Sequence, residues 1–328
     1  MRAIRLHAFG PAENLTYEQA ADPVPGPGQV RIAVRAAGVH LVDTMIRAGT
    51  ANGPMAAPEL PTIPGREVAG VVDALGEGVA ESWFGRRVVA HLGMVPGGYA
   101  ELAVRDVAAV HEVPDGVDFA GAVAMIGTGR TTMGILEAAA LAAGDVAVVT
   151  AAAGGIGGLL VQAGRNAGAT VVALAGGPAK VARAKELGAD HAFDYTLPGW
   201  QDTVRQALAG QAATVALDGV GGEAGRFAMD LLAPGGRLML FGWSDTAGGP
   251  VEITTAALYE RGLTAAVPIG PRLLKRPGGI RELEERALAA AGSGALTPSV
   301  QEFALKDAAQ AHAALETRQT MGKVVLIP

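Results

Sequence analysis

The residues with the clearest chemistry stand in one run, Val146-Ala147-Val148-Val149-Thr150-Ala151-Ala152-Ala153-Gly154-Gly155-Ile156-Gly157-Gly158. A β-rich apolar stretch, a glycine turn and a helix start near 156–167 follow one another in the order a dinucleotide site requires. Glycine lets the backbone approach a pyrophosphate, and the N–H groups of the helix's first turn meet its negative charge at the favourable end of the dipole. Ala152 replaces the first glycine of the strict G-x-G-x-x-G pattern, so the match rests on Gly154, Gly157 and their neighbours. The alternative use of these glycines is close helix–strand packing. At the end of the next strand, where an NAD site usually carries Asp or Glu, the chain reads Leu174-Ala175-Gly176-Gly177-Pro178-Ala179-Lys180. No acid stands there to repel a 2′-phosphate, and Lys180 with Arg183 behind it offers positive charge. NADPH is therefore expected rather than NADH, the alternative being that both cations are a solvated helix face.

The elements that must position this turn divide the 328 residues into two textures, as the length suggests. Up to about residue 120, short apolar runs such as 30–34 and 68–72 alternate with Pro and Gly clusters, the pattern of a β-rich module. Helical stretches at 119–125 and 131–143 then lead into the strand 146–149. Further strand runs at 171–175, 215–218, 237–241 and 263–267 alternate with helices, which predicts a parallel sheet wound on both faces. Two helices, 279–291 and 306–316, and a strand, 323–327, complete the chain.

Composition removes several functions. Cysteine is absent, which excludes disulfides, thiolate zinc sites, iron–sulfur clusters and cysteine nucleophiles. A net charge of −6 with no basic run gives nucleic acid no footprint. The four serines include none in G-x-S-x-G, and neither H-E-x-x-H nor a P-loop occurs. The uncharged stretch between Asp145 and Arg165 approaches transmembrane length, but its central glycines argue for a turn, so no membrane partner is expected. The opening MRAIRLHAFG lacks the apolar core of a signal peptide, and a cytoplasmic location is expected.

Ordered motifs along nearly the whole chain resemble the medium-chain dehydrogenase/reductase superfamily, in its zinc-free quinone oxidoreductase branch, which includes zeta-crystallin. The matching pieces include Pro23-Val24-Pro25-Gly26-Pro27-Gly28, Ala37-Gly38-Val39 with Asp43, and Pro64-Gly65-Arg66-Glu67-Val68-Ala69-Gly70. Later come Gly97-Gly98-Tyr99-Ala100-Glu101, Ala151-Ala152-Ala153-Gly154-Gly155-Ile156-Gly157, Asp218-Gly219-Val220-Gly221-Gly222, and Gly322-Lys323-Val324-Val325-Leu326. The resemblance implies an α/β chain: a GroES-like β-barrel catalytic domain from 1–120 and 268–328, with a doubly wound parallel-sheet Rossmann domain for NADPH at 121–267. It further implies that Gly154, Gly155, Ile156 and Gly157 hold the pyrophosphate, and that Lys180, Tyr195 and Gly176 meet the 2′-phosphate end. Thr131, Phe241, Gly242 and Lys323 stand at positions resembling the family's nicotinamide and phosphate contacts. For Tyr195 and Phe241, packing at a strand end is the open alternative.

In zinc-dependent relatives the metal is held through a Cys and the His of a G-H-E motif. The resembling positions here are His40 and Arg66, and a guanidinium repels a cation, so no metal is expected. Arg66 is expected to pair with Glu67, the alternative being that it holds a substrate carbonyl or carboxylate. His40 can donate a proton near neutral pH, or can be tied to Asp43 or backbone and orient its loop. His40, Asp43 and Arg66 are accordingly the candidate catalytic residues. The conjugated acceptor of a quinone or α,β-unsaturated carbonyl delocalises developing charge without a Lewis acid, which favours those small-molecule substrates. Met45 and Ala51 stand where relatives commonly carry tyrosines, which leaves room for two other outcomes: a tailoring reductase of a larger unsaturated intermediate, or a cofactor-binding protein with little catalysis. The apolar run 263–267 reads as a sheet edge, and the resemblance implies a homodimer through it.

Overall fold

The computed structural model describes residues 1–51, 58–93, 95–245 and 247–328. Its strands in chain order are β1 (Arg2–Leu6), β2 (Leu15–Gln19), β3 (Gln29–Val39), β4 (Glu67–Leu75), β5 (Arg87–His91), β6 (Leu102–Asp106), β7 (Val110–Glu112), β8 (Val146–Val149), β9 (Thr170–Ala175), β10 (His191–Asp194), β11 (Ala213–Asp218), β12 (Leu232–Leu240), β13 (Thr264–Ala266), β14 (Val300–Ala304) and β15 (Lys323–Ile327). The helices that matter for the site are α1 (Leu41–Ala48), α2 (Phe119–Ala124), α3 (Arg130–Ala139), α4 (Gly155–Asn166) and α5 (Pro178–Glu186). The chain divides into two compact units, Met1–Thr128 with Ala287–Pro328, and Gly129–Arg286.

In the first unit β14, β15, β3, β4, β5 and β7 lie side by side, and β6 also pairs with β3. All pairings are antiparallel except β14 with β15. Alternation explains β3: Val30, Ile32 and Val34 point into a core shared with Ile4, Val68, Val88 and Tyr99, while Gln29, Arg31 and Ala33 are only partly covered. Sheet closeness is set at Gly70 on β4, where a Cβ would fall 2.0 Å from the carbonyl oxygen of Ala33 on β3.

The second unit is a six-stranded, wholly parallel sheet in the order β10-β9-β8-β11-β12-β13. Val146, Ala147, Val148 and Val149 are all buried, as a strand covered on both faces demands, so β8 reads as an unbroken apolar run. The stretch between Asp145 and Arg165 is thus a strand, a turn and a helix. Among the described residues no helix is long and apolar enough to cross a membrane.

Three differences from the sequence expectations have local causes. β10 is absent from the expected strands because it is an edge strand whose four residues, His191 to Asp194, are only partly buried, which leaves no apolar run to read. The helix expected to reach 143 stops at Ala139, where Ala140 turns left-handed at φ 47°. The unit boundaries fall at 128/129 and 286/287 rather than at 120/121 and 267/268: α2 packs against β3 and β4, and the second boundary falls inside the helix Gly279–Gly292.

Gly70→Ala forces a Cβ into the Ala33 carbonyl and is expected to destabilise the first unit by about 3 kcal/mol. Thermal unfolding checks this, with Gly78→Ala, whose added Cβ meets nothing within 4 Å but sits at φ +78°, separating backbone strain from the clash.

Candidate active site

In the second unit the functional turn sits at the carboxyl ends of the parallel strands, on the side where open α/β sheets bind ligands. β8 ends at Val149, the chain reverses through Ala151 at φ 48°, and Gly154 caps α4 in extended conformation. A Cβ on Gly157 would fall 2.2 Å from the Ala151 carbonyl oxygen, so α4 can pass this close to the turn only with glycine there. The sheet order reverses between β8 and β11, and a polar lock ties the two strands together. Thr150 Oγ1 donates to Asp218 Oδ1 at 2.7 Å and accepts from the Gly219 N–H at 2.9 Å, and Asp218 Oδ1 also takes the Val220 N–H. Burial raises the Asp218 carboxyl despite these donors. A Cβ on Gly219 would fall 2.4 Å from the Phe241 ring, which is packed against this ledge.

The other expected cofactor residues follow from neighbouring strand ends. Gly176 directly follows β9, and a Cβ there would fall 3.1 Å from the Tyr195 hydroxyl, Tyr195 itself following β10. Tyr195 also stands edge-on to Trp200. Lys180 lies in the first turn of α5, and Arg183, one turn on, pairs with Glu186. Phe241 and Gly242 follow β12, and Thr131 lies in the first turn of α3. The expectation that no acid stands at this turn does not hold, and so is no ground for preferring NADPH: Asp194 at the end of β10 reaches it, its Oδ1 accepting from the Gly177 N–H and from the Thr196 N–H and hydroxyl. Against burial, which would raise it, these bonds hold Asp194 below the ordinary carboxyl range. Lys323 belongs to the first unit.

There it meets a second cluster, built on Glu67, whose side chain is 0% exposed. Glu67 Oε1 lies 2.6 Å from His40 Nε2, and Oε2 lies 2.8 Å from Lys323 Nζ. Burial would raise the carboxyl, but His40 and Lys323 outweigh it and hold Glu67 well below the usual range. The expected Arg66–Glu67 pair does not form. Arg66 directly precedes β4 and Glu67 opens it; successive side chains of an extended chain take opposite faces, and Arg66 Nη2 reaches Asp43 Oδ1 at 3.4 Å instead.

Asp43 is the centre of a further buried network. Its Oδ2 accepts from the His40 backbone N–H at 2.8 Å and from the Tyr99 hydroxyl at 3.2 Å, and the Tyr99 oxygen lies 3.2 Å from His312 Nε2. Asp43 therefore holds the start of α1 and the turn before it, and His40 is tied to it through backbone while the ring faces Glu67. Asp43 and Arg66 are 3% and 9% exposed; His40, at 24% side-chain exposure, is the open member of the three candidate catalytic residues. Tyr99 and His312 had no expected role, and Glu67 was expected only as the partner of Arg66. The signal for the Glu67 pairing is a charge at the head of an apolar run: Glu67 opens Glu67-Val68-Ala69 and Lys323 opens Lys323-Val324-Val325, and two such buried heads require each other.

Set beside known proteins, residues 26–115 match the alcohol dehydrogenase GroES-like domain, and residues 155–275 match the zinc-binding dehydrogenase family. A quinone oxidoreductase of Pseudomonas aeruginosa is 32% identical over 100% of this chain and 99% of its own. A 2-haloacrylate reductase of Burkholderia sp is 30% identical over 98% of each chain. The chain belongs to the medium-chain dehydrogenase/reductase superfamily. Among solved structures, the Escherichia coli quinone oxidoreductase complexed with NADPH superimposes with a TM-score of 0.86 at 26% identity, with both chains covered completely. The superfamily's two parts, a GroES-like domain and a parallel-sheet Rossmann domain, correspond to the folds described above, and the relatives are oxidoreductases.

Against the zinc of the dehydrogenase relatives, the donor set here does not fit. Arg66 is a fixed cation paired to Asp43, and both Glu67 oxygens are already held by His40 and Lys323.

Burial lowers the proton affinity of His312 from 6.5 to about 4. An unfolded chain takes this proton as pH falls through 6.5, while the folded one resists until about 4, so stability is full above 6.5 and is lost progressively below it. The loss amounts to about 3 kcal/mol by the time pH reaches the folded value. Unfolding midpoints between pH 7.5 and 4.5 check this: the slope is expected to flatten in His312→Gln, and equal slopes would contradict it.

Proposed function

We propose that this protein is an NADPH-dependent reductase of quinones or α,β-unsaturated carbonyls that works without a metal. The observation that carries the reading is the glycine turn at the carboxyl end of β8, with Gly157 demanded by the 2.2 Å approach to Ala151 and the N–H groups of α4 opening beside it. Bound there, NADPH supplies a hydride, that is, both electrons and one hydrogen. Gly154, Gly155, Ile156 and Gly157 hold the pyrophosphate; Gly176, Lys180 and Tyr195 receive the adenosine 2′-phosphate end; Thr131, Phe241 and Gly242 border the nicotinamide end. Likeness to a structure complexed with NADPH supports this choice of cofactor.

His40 is the proton donor. As hydride reaches the acceptor, the electron pair displaced from the conjugated bond settles on oxygen, an N–H bond of the His40 ring breaks as the O–H or C–H bond forms, and solvent restores the proton. Asp43 and Arg66 act by position: Arg66 neutralises Asp43, and Asp43 fixes the His40 backbone and the Tyr99 hydroxyl. A conjugated acceptor needs no strong Lewis acid, which agrees with a donor set that cannot accept zinc. The 2-haloacrylate reductase relative supports activated alkenes as acceptors beside quinones. Met45, 41% exposed on α1, favours a second reading in which the acceptor is bulkier than a simple quinone.

β13 is the outermost strand of the parallel sheet, with Val267 beside it 56% exposed, and we assign it to a homodimer. Sedimentation at micromolar protein is expected to give twice the 33.0 kDa chain mass. The main test is NADPH oxidation with a panel of naphthoquinones, enones and 2-haloacrylates, small and bulky. Turnover of at least one class is expected; tight NADPH binding without turnover of any acceptor would leave only a cofactor-binding protein. Lys180→Ala is expected to raise KM for NADPH at least about tenfold while leaving KM for NADH unchanged. An equal effect on both cofactors would overturn the assignment of Lys180.

A further inference from the structure

Three adjacent strands bring one acid and two bases together. β3 lies between β15 and β4, and its register sets Gly38 against Val325 on one side and Ala37 against Val68 on the other. Lys323 opens β15 and Glu67 opens β4, so the two charges face each other across the end of β3. They can touch only because position 38 has no side chain: a Cβ there would fall 2.4 Å from Glu67 Oε2 and 3.1 Å from Lys323 Cε. On the opposite side Gly127 leaves the room for Oε1, where a Cβ would come within 1.5 Å. His40 leaves β3 immediately after Val39 and sets Nε2 against that oxygen.

One negative charge is thus shared by two basic side chains, and the sharing has a consequence. Lys323, 4% exposed, sets its ammonium 2.8 Å from Glu67 Oε2. While Lys323 neutralises Glu67, a second proton on His40 makes the cluster net positive. Without Lys323, the whole carboxylate charge would act on His40. Among the described residues the other ionisable groups around the cluster are His91, opposite Glu67 on β5, Tyr99, whose hydroxyl donates to Asp43, and Asp43 itself, which holds the His40 backbone N–H and pairs with Arg66. The segment Met125–Gly129 that covers Glu67 carries none.

We propose that Lys323 is a positioning residue that acts through Glu67 to set both the orientation and the proton affinity of His40. Lys323 then has a role in proton delivery within the first unit rather than the cofactor contact its motif suggests. The part that concerns reduction rests on the function proposed above; the coupling of Lys323 to His40 does not, and it is measurable in the protein without NADPH.

The experiment is an NMR titration of the His40 ring, identified by its loss in His40→Asn, in the full chain and in Lys323→Met, Lys323→Arg and Glu67→Gln. The His40 midpoint is expected to rise by about one pH unit or more in Lys323→Met, to fall in Glu67→Gln, and to stay near the parent value in Lys323→Arg. The basic limb of kcat/KM for the best acceptor should move with it. Midpoints unchanged in both Lys323→Met and Glu67→Gln would overturn the proposal. So would a loss of NADPH affinity in Lys323→Met with the midpoint in place, because that assigns Lys323 to the cofactor. If Lys323→Met does not fold, the fall in Glu67→Gln and the rescue in Lys323→Arg decide. Shifted midpoints in a protein that turns over no acceptor would refute the proposed reduction while upholding the coupling.

Discussion

A carboxylate with no exposure must be matched by charge and hydrogen bonds where it stands, and Glu67 imposes that demand on the whole first unit. Its two oxygens meet His40 and Lys323 in ion-pair contacts from opposite sides. Meeting it requires β15, β3 and β4 in that order, glycine at positions 38 and 127, and a chain that turns from β3 directly into α1. The carboxylate also explains why the C-terminal segment 287–328 belongs to the same unit as the N-terminal one: β15 supplies the cation that β4 lacks. Apolar packing around Val68, Val324 and Tyr99 then closes the core over an already neutralised pair.

The same arrangement gives chemical meaning to the positions where dehydrogenase relatives hold zinc. Arg66 turns away to Asp43, Glu67 turns inward, and His40 lies where its ring is both anchored and partly open. A metal stabilises developing negative charge by its own field, whereas an imidazole held on a carboxylate stabilises it by giving up a proton. Conjugated acceptors suit the second device, since their charge is already spread. Asp43, Tyr99 and His312 hold the frame behind it, and the low proton affinity of His312 keeps that frame free of a second buried cation near neutral pH.

The sequence and the structure agree best where one signal decides. β8 and β15 carry the expected bounds because each holds an unbroken apolar run, 146–149 and 324–327, and the turn after β8 was legible from glycine spacing. β10 was hidden because an edge strand that is half-covered throughout has neither an apolar run nor clean alternation. Motif matching paired Arg66 with Glu67 because they are neighbours in sequence, whereas strand alternation separates neighbours and joins residues more than two hundred positions apart. Asp194 escaped notice for a related reason: its carboxylate reaches the Gly176-Gly177 turn from the next strand over, through pairing that no local pattern reports.

The most direct measurement is neutron diffraction from a crystal of the NADPH-bound protein grown near pH 7, which locates the hydrogens around Glu67. The expected result is an ionised Glu67 with a deuteron on His40 Nε2 directed at Oε1 and the Lys323 ammonium on Oε2. A protonated Glu67, or Lys323 swung onto the cofactor with His40 left without its carboxylate, would contradict it.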